Sequence, residues 1–279
     1  MSTIYDKEQA LFAEWIEHEK WTGDSEEYLN GHFCWDGLHF TGMPSERIDG
    51  KDGHSYRIMN GDNKQEEIWK NAFIKPLFLC KDYNGDESVD VREETGYSDE
   101  KLYWRFFKKY LILLYALTNF NQKTQSFPSY EECCIKENYW LGDKGFFHAP
   151  VVRMNLKKVA GGSSCPDSLL QKYVNNDYQY ITRQIDLYDA NVFVCCHSGE
   201  VLNPIWDLMW WNKDLKQGLF KEELRQFDKT DYSFWYSEEQ KKVILSVPHM
   251  SKIVDAWEFY RPIPIFERFL REREGFFNR

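Results

Sequence analysis

The sequence contains no apolar stretch as long as the roughly 18–20 residues that a membrane-spanning helix requires. Its longest apolar run, YLILLYALTNF at 110–120, has the length of a buried helix in a globular core. Residues 1–20 are acidic and amphipathic and show none of the features of a signal peptide. We therefore expect a chain with no membrane segment.

Paired-cysteine motifs are also missing. No CxxC occurs among the seven cysteines, and the adjacent pairs Cys133–Cys134 and Cys195–Cys196 are badly placed for ordinary disulfides. This pattern predicts free, mostly buried thiols, as in the reducing cytoplasm, and gives little support to a zinc site. We expect neither a metal nor a cofactor.

Positive charge is in short supply. The chain has 35 Lys and Arg against 45 Asp and Glu, a formal net charge of −10, which argues against a protein that coats nucleic acid non-specifically. A local basic groove is still compatible with that total. Aromatic residues, in contrast, make up 17% of the chain. Most must be core, but such rings are also surfaces on which bases stack.

Short apolar segments bounded by turn residues alternate with segments of helical periodicity. This alternation predicts an α/β fold of three layers, α/β/α, with a mainly parallel central sheet of about four strands. The predicted strands are 74–80, 149–155, 190–196 and 241–248. The predicted helices are 6–20, 98–120, 166–189, 203–215 and 254–274, the last broken near Pro262 and Pro264.

The first 70 residues differ from this alternating pattern. After the amphipathic helix they are rich in Gly and Asp, and FCWDGL at 33–38 has the composition of a hairpin-like turn at Asp36–Gly37. We expect residues 1–70 to form an elaboration packed on a single α/β domain at 71–279.

Polar residues follow each predicted strand directly. Right-handed crossovers bring the carboxyl ends of parallel strands to one edge of the sheet, where α/β proteins bind ligands. The polar residues expected at that edge are Asp82, Asn155, His197 or Ser198, and His249 with Ser251.

These segments resemble the uracil-DNA glycosylase superfamily. CKDYNG places Asp82 at the family's acidic position, and VVRMNLKK places Asn155 at its base-reading position. RQIDLYDANVFVCCHSG is similar to the family's third-strand region, and VPHMSK matches its His-Pro-Ser motif at His249 and Ser251. Met250 replaces the proline, and the first loop has Tyr83 and Asn84 where the family has Pro and Tyr-His.

The resemblance implies excision of an abnormal base, uracil or a related one, flipped out of DNA. Asp82 would orient the attacking water, His249 would donate to the base carbonyl where charge develops, and Asn155 would pair with the base edge. Tyr83, or a ring at 103–107, would stack on the base. Asn84 lies in the same loop and is a further substrate-binding candidate.

Flanking phosphates would be held by backbone amides around Ser251 together with Lys252 or Lys157. Arg92 would clamp the ligand, or else pair with Asp90 or Glu94.

Structural interpretations stay open beside these roles. Asp82 suits an Asx turn, Asn155 a cap, and Lys157–Lys158 a solvated pair. The alternative function is a non-catalytic module that binds a nucleotide or nucleic acid on the same scaffold. A third is protein interaction through residues 1–70. The sequence does not indicate an oligomeric state.

Overall fold

The computed structural model of the chain describes residues 2–23, 29, 31–40, 48–49, 55–56, 64–83, 89–92, 105–135, 150–160, 165–196, 204–209, 218–220, 224–250 and 252–278. Within these ranges, no helix has both the length and the apolarity needed to span a membrane. All seven cysteines are free thiols, as the sequence predicts.

The five predicted helices have counterparts in the described ranges, and two further helices, at 65–71 and 130–134, were not predicted. The helix predicted at 254–274 is interrupted at Arg261, and Pro262 occupies the first turn of the next helix, where its missing N–H leaves no hydrogen bond unmade. The helices are α1 Ile4–Glu19, α2 Gln65–Asn71, α3 Arg105–Thr118, α4 Tyr130–Cys134, α5 Asp167–Tyr188, α6 Pro204–Met209, α7 Trp257–Tyr260 and α8 Pro262–Glu272.

The strands are short outside the centre of the molecule. They are β1 Cys34–Trp35, β2 Gly37–Leu38, β3 Ile48–Asp49, β4 Ser55–Tyr56, β5 Pro76–Asp82, β6 Val89–Asp90, β7 Val152–Lys157, β8 Val192–Cys196, β9 Arg225–Gln226, β10 Phe234–Ser237 and β11 Lys242–Val247. Seven of them form one sheet in the order β2-β7-β5-β8-β11-β10-β9, while β1 pairs with β6 and β3 with β4.

The predicted α/β class is confirmed, but the predicted sheet of about four mainly parallel strands is wrong in size and type. The four predicted strands are β5, β7, β8 and β11, which pair in parallel at the centre of the sheet. Antiparallel strands extend both sides, β2 on β7 and β10 with β9 on β11. The added strands have two to four residues, too few for a periodic pattern to stand out.

Helices cover both faces of the sheet because its central strands are apolar on both sides. In β5, Leu77 and Leu79 pack into one core cluster with α1, α2, α5 and α6. Phe78 and Cys80 face the other way, into a cluster with α3, α4, α7 and α8.

The N-terminal segment joins the sheet rather than lying on it. β2 pairs with β7, and α1 packs against α5. The expected hairpin at Asp36–Gly37 is wrong: β1 pairs with β6 and β2 with β7, so the two strands flanking Asp36 have different partners. Asp36 itself is fully buried.

The strand order determines where a ligand crevice can form. Numbered along the chain, the four parallel strands lie in the order 2-1-3-4, so the connections diverge between β5 and β8. Ligands of open α/β sheets bind outside the carboxyl ends of the strands at such a divergence. Here that point lies directly beyond Asp82.

Candidate functional site

Asp82 ends β5 and is level with Lys157, the last residue of β7. Two positions earlier, Cys80 of β5 is level with Asn155 of β7. Two of the predicted strand-end residues, the carboxylate Asp82 and the carboxamide Asn155, therefore lie on adjacent strands near the same edge.

The Asp82 carboxyl is half-buried and incompletely bonded. Its Oδ2 is sealed from solvent and has no hydrogen-bond partner in the described part of the chain. Burial raises the pKa of Asp82, and the positive charges of Lys157 and Lys81 oppose that rise. A carboxyl with a raised pKa and an unbonded oxygen, at the end of a strand where the connections diverge, is a candidate functional group.

His249 follows β11 at the same edge of the sheet as Asp82. Val247 pairs with Cys196, and Cys195 pairs with both Ser246 and Leu79, so Cys80, Cys196 and Val247 are level. Asp82 ends β5 two residues beyond Cys80, and His249 follows the end of β11 two residues beyond Val247, so both leave the sheet at the same edge. One strand separates β5 from β11, which puts their backbones about 10 Å apart.

The turn that carries His249 is held from two sides. Lys252 N donates a hydrogen bond to His249 O at 2.8 Å, and the ammonium of Lys109 on α3 donates one to Lys252 O. His249 is half-buried within this turn. Asp82, Lys157 and His249, at the carboxyl ends of three strands, are called the carboxyl rim below.

Asn155 is buried beside the N-terminal segment. Its backbone N–H donates to Asp36 Oδ2 at 2.7 Å, and its side-chain Nδ2 lies 3.2 Å from the same oxygen and 3.5 Å from Cys34 Sγ. The side chain therefore does not cap a helix. It is held in place by residues that the sequence did not connect with it.

The two adjacent lysines have separate environments. Lys157 is buried, donates to Val159 O and lies 5.6 Å from the centre of the Tyr173 ring. Lys158 is fully buried and forms an ion pair with Asp36. A solvated or phosphate-binding role for Lys158 is therefore wrong, since its ammonium is inside the protein.

Arg92 forms an ion pair with Asp90, which the sequence analysis gave as the alternative to clamping a ligand. Its guanidinium is 2.6–2.8 Å from Asp90 and 2.7 Å from Glu8, and it is 1% exposed. The rings of Tyr5, Phe12 and Phe40 surround it at 5.1–5.6 Å. Arg92 thus connects α1 to β6.

The structure gives less information on the remaining predicted residues. Tyr83 is half-buried directly after Asp82. Asn84, Ser251, His197 and Ser198 lie outside the described residues, as do the side chains at 103–107.

Sequence reasoning missed a buried polar network in the N-terminal region. Tyr188 donates to Glu8 at 2.7 Å, and Gln184 donates to Asp36 at 3.0 Å and to the Tyr188 hydroxyl at 3.0 Å. Together with the ion pairs of Arg92 and Lys158 these contacts form the docking network, defined as Glu8, Asp36, Arg92, Lys158, Gln184 and Tyr188. Its members come from five distant segments, which no local motif indicates.

The rim also carries an exposed apolar side chain that the sequence did not single out. Ile253, four residues after His249, is 80% exposed. In the described part of the chain, no group of three or more His, Cys, Asp and Glu residues is arranged to hold a metal ion.

Comparison with known proteins adds no family assignment: no family model matches the sequence, and no curated protein or solved structure is significantly similar to it.

Proposed function

We propose that this chain hydrolyses the N-glycosidic bond of an abnormal base, uracil or a related one, flipped out of DNA. The observation that carries the proposal is the Asp82 carboxyl, half-buried and with an unbonded oxygen at the strand divergence. Water attacks the anomeric carbon while the base departs as an anion. A carboxylate at this point orients the water and balances the positive charge that develops on the sugar.

The charges around Asp82 suit that role. Burial strengthens its attraction for a proton and for a cationic sugar, while Lys157 and Lys81 favour its ionised form. Lys81 is itself paired with the exposed Asp167 at 2.6 Å. Among the described residues, Asp82 is a carboxylate at this edge with an oxygen left for water.

His249 supplies the second group that the reaction needs. The imidazole of His249, which follows the second strand along from β5, can donate to the base carbonyl as negative charge builds on it, across a gap of about 10 Å that a pyrimidine and the attacking water would fill. Asn155, two positions below Asp82 in register, lies where the base edge would reach into the sheet.

DNA contact is supported by the composition of the rim. Lys81 and the exposed Lys252 lie at this edge although the whole chain is acidic. The exposed Ile253 adjoins Lys252, and apolar side chains of this kind can enter between bases when a nucleotide is extruded.

The decisive experiment incubates the protein with single- and double-stranded oligonucleotides containing uracil and scores alkali-labile abasic sites. We expect cleavage by the wild type and a loss of about 10²–10⁴-fold with Asp82→Asn, because the amide cannot orient the water as an anion does. Asp167→Asn is the matched control, since it makes the same change in an exposed carboxylate of the same edge. Activity of Asp82→Asn equal to that of Asp167→Asn would contradict the proposal.

A second candidate function is binding of a base or nucleotide without cleavage. The observation that favours it is the engagement of the Asn155 amide inside the protein, which leaves fewer of its groups for a substrate. Binding of uracil-containing oligonucleotides without abasic sites, unaffected by Asp82→Asn, would select this alternative.

A further inference from the structure

The turn that carries His249 lies beyond the end of β11, whose last residue is Val247. Its backbone hydrogen bonds in the described part of the chain are local. Lys252 N donates to His249 O at 2.8 Å, a bond from the fourth residue of a turn back to the first, and Val254 N donates to Lys252 O at 3.0 Å. Such bonds give the turn its shape, but they do not orient it against the rest of the molecule.

Side chains tie this turn to the core near both of its ends. Met250 is fully buried and packs in the apolar cluster that the sheet forms with α3, α4, α7 and α8. The ammonium of Lys109, on α3, donates a hydrogen bond to Lys252 O, the carbonyl that also accepts from Val254 N. A carbonyl oxygen has two lone pairs, so two donors fix its direction. Met250 therefore anchors the start of the turn, and Lys109 anchors its end.

Lys109 is buried to a degree that lysines rarely reach. It is 5% exposed, and its ammonium lies 4.7 Å from the centre of the Phe259 ring on α7, whereas the preceding Lys108 is exposed. Burying an ammonium is costly unless hydrogen bonds and favourable electrostatic contacts compensate it, as the Lys252 carbonyl and the face of an aromatic ring do here. An apolar side chain would fill this place at a lower cost. The presence of a lysine is therefore explained by the carbonyl that it holds.

We propose that Lys109 is a positioning residue for His249: its ammonium holds the backbone of Lys252, and through it the backbone of His249, where the imidazole reaches the departing base. This inference rests on the proposed function, in which His249 donates to the base carbonyl. Lys109 acts through the backbone of the turn, from inside the protein. Displacing a reacting group by about 1 Å costs about 10²-fold in rate, so a contact remote from the base is able to control the reaction.

The test is Lys109→Met, which fills a similar space without the hydrogen bond. In the assay with uracil-containing oligonucleotides we expect kcat to fall by about 10–10²-fold while KM stays within about 2-fold of the wild type, because His249 engages the base most strongly in the transition state. Lys108→Met is the matched control, since it makes the same change on the exposed side of the same helix, and it should behave as the wild type. A kcat of Lys109→Met equal to that of Lys108→Met would overturn the inference.

A double variant separates positioning from a general effect on the fold. Lys109→Met combined with His249→Ala should cleave no more slowly than His249→Ala alone, because Lys109 acts through an imidazole that is no longer there. Losses in kcat that add together would overturn the inference. Should Lys109→Met not fold, Lys109→Gln carries the same two comparisons, since glutamine keeps a polar end but is one bond shorter than lysine and loses the contact with Lys252 O.

Amide hydrogen exchange, followed by NMR, makes failure of this inference distinguishable from failure of the proposed function. The Lys252 amide is bonded to His249 O, and we expect it to exchange about 10-fold faster in Lys109→Met than in Lys108→Met. This faster exchange, in a protein whose wild type produces no abasic sites, would keep Lys109 as the residue that holds the turn and remove base excision. Excision by the wild type, with kcat and exchange unchanged in Lys109→Met, would remove the positioning role and leave base excision intact.

Discussion

The docking network and the carboxyl rim are two polar regions that meet at Asn155, and they differ in how completely their charges are paired. In the docking network, Glu8, Asp36, Arg92 and Lys158 each have an oppositely charged partner, and all are at most 1% exposed. At the carboxyl rim, Asp82 is only half-buried, and one of its oxygens is sealed with no partner among the described residues.

This difference separates structural from functional charge. A buried charge with a full set of hydrogen bonds and an ion-pair partner holds segments together. Breaking those bonds would leave the charge buried and unpaired, which lowers the stability of the fold, so such a charge is not available to bind a substrate. A carboxyl with unused bonding capacity at a crevice costs stability and is retained where a substrate or water completes it. The docking network therefore explains how residues 1–40 attach, and the carboxyl rim is where we place the chemistry.

The strongest way to break the comparison is Arg92→Met. We expect a loss of about 3–5 kcal/mol in the free energy of unfolding, measured by urea denaturation, since Glu8 and Asp90 lose their common partner. Arg183→Met is the matched control: its ion pair with Glu14 is exposed at both ends, and we expect a change within about 0.5 kcal/mol. Equal stability of the two variants would refute a structural role for the docking network.

The corresponding change at the carboxyl rim is His249→Ala. If His249 donates to the departing base, the variant should lose about 10²–10³-fold in kcat while its unfolding free energy stays close to that of the wild type. Oligonucleotide cleavage and urea denaturation of the same preparation measure both quantities. If the variant has a lower free energy of unfolding but the kcat of the wild type, His249 has a structural role and not a catalytic one.

The smallest expected effect concerns pH and a buried acid pair between α1 and α5. Burial raises the pKa of Glu19 from 4.5 to about 9, and the neighbouring carboxylate of Asp177 adds to the rise. The folded chain then holds a proton on Glu19 that the unfolded chain releases above about pH 4.5. Its stabilising contribution is therefore complete below that pH and is lost as the pH rises towards 9.

Melting temperatures measured between pH 5 and 9 test this assignment. We expect the wild type to lose a few degrees across the range and Glu19→Gln to lose less, because glutamine cannot ionise. Glu14→Gln, an exposed acid on the same helix whose pKa is lowered by its hydrogen bond to Arg183, should keep the wild-type slope. Identical slopes in all three proteins would mean that Glu19 does not carry the dependence.

The central strands were predictable because each is a local apolar run. The expected strand at 74–80 is β5 at 76–82, and the one at 190–196 is β8 at 192–196. The interruption at Pro262 was predictable for a similarly local reason, since the ring restricts the backbone at its own position. The edge strands were not predictable, because a strand as short as β2 is defined by its pairing with β7 and not by a pattern in its own residues.

The candidate site was predictable in part. Placing Asp82 and Asn155 at one edge required only parallel strands with right-handed crossovers. The partner that holds Asn155 was not predictable: Asp36 is 119 positions away, in a segment whose composition indicated a hairpin-like turn. Arg92 likewise pairs with a glutamate 84 positions away.

The amino-acid sequence by itself determined the alternation of strands and helices and the polar residue that follows each strand, because periodicity and turn chemistry act over a few neighbouring residues. Only the tertiary structure decided which charges are paired. Burial and distance between segments decide whether a carboxylate such as Asp36 meets an ammonium or, like Asp82, keeps an oxygen unbonded.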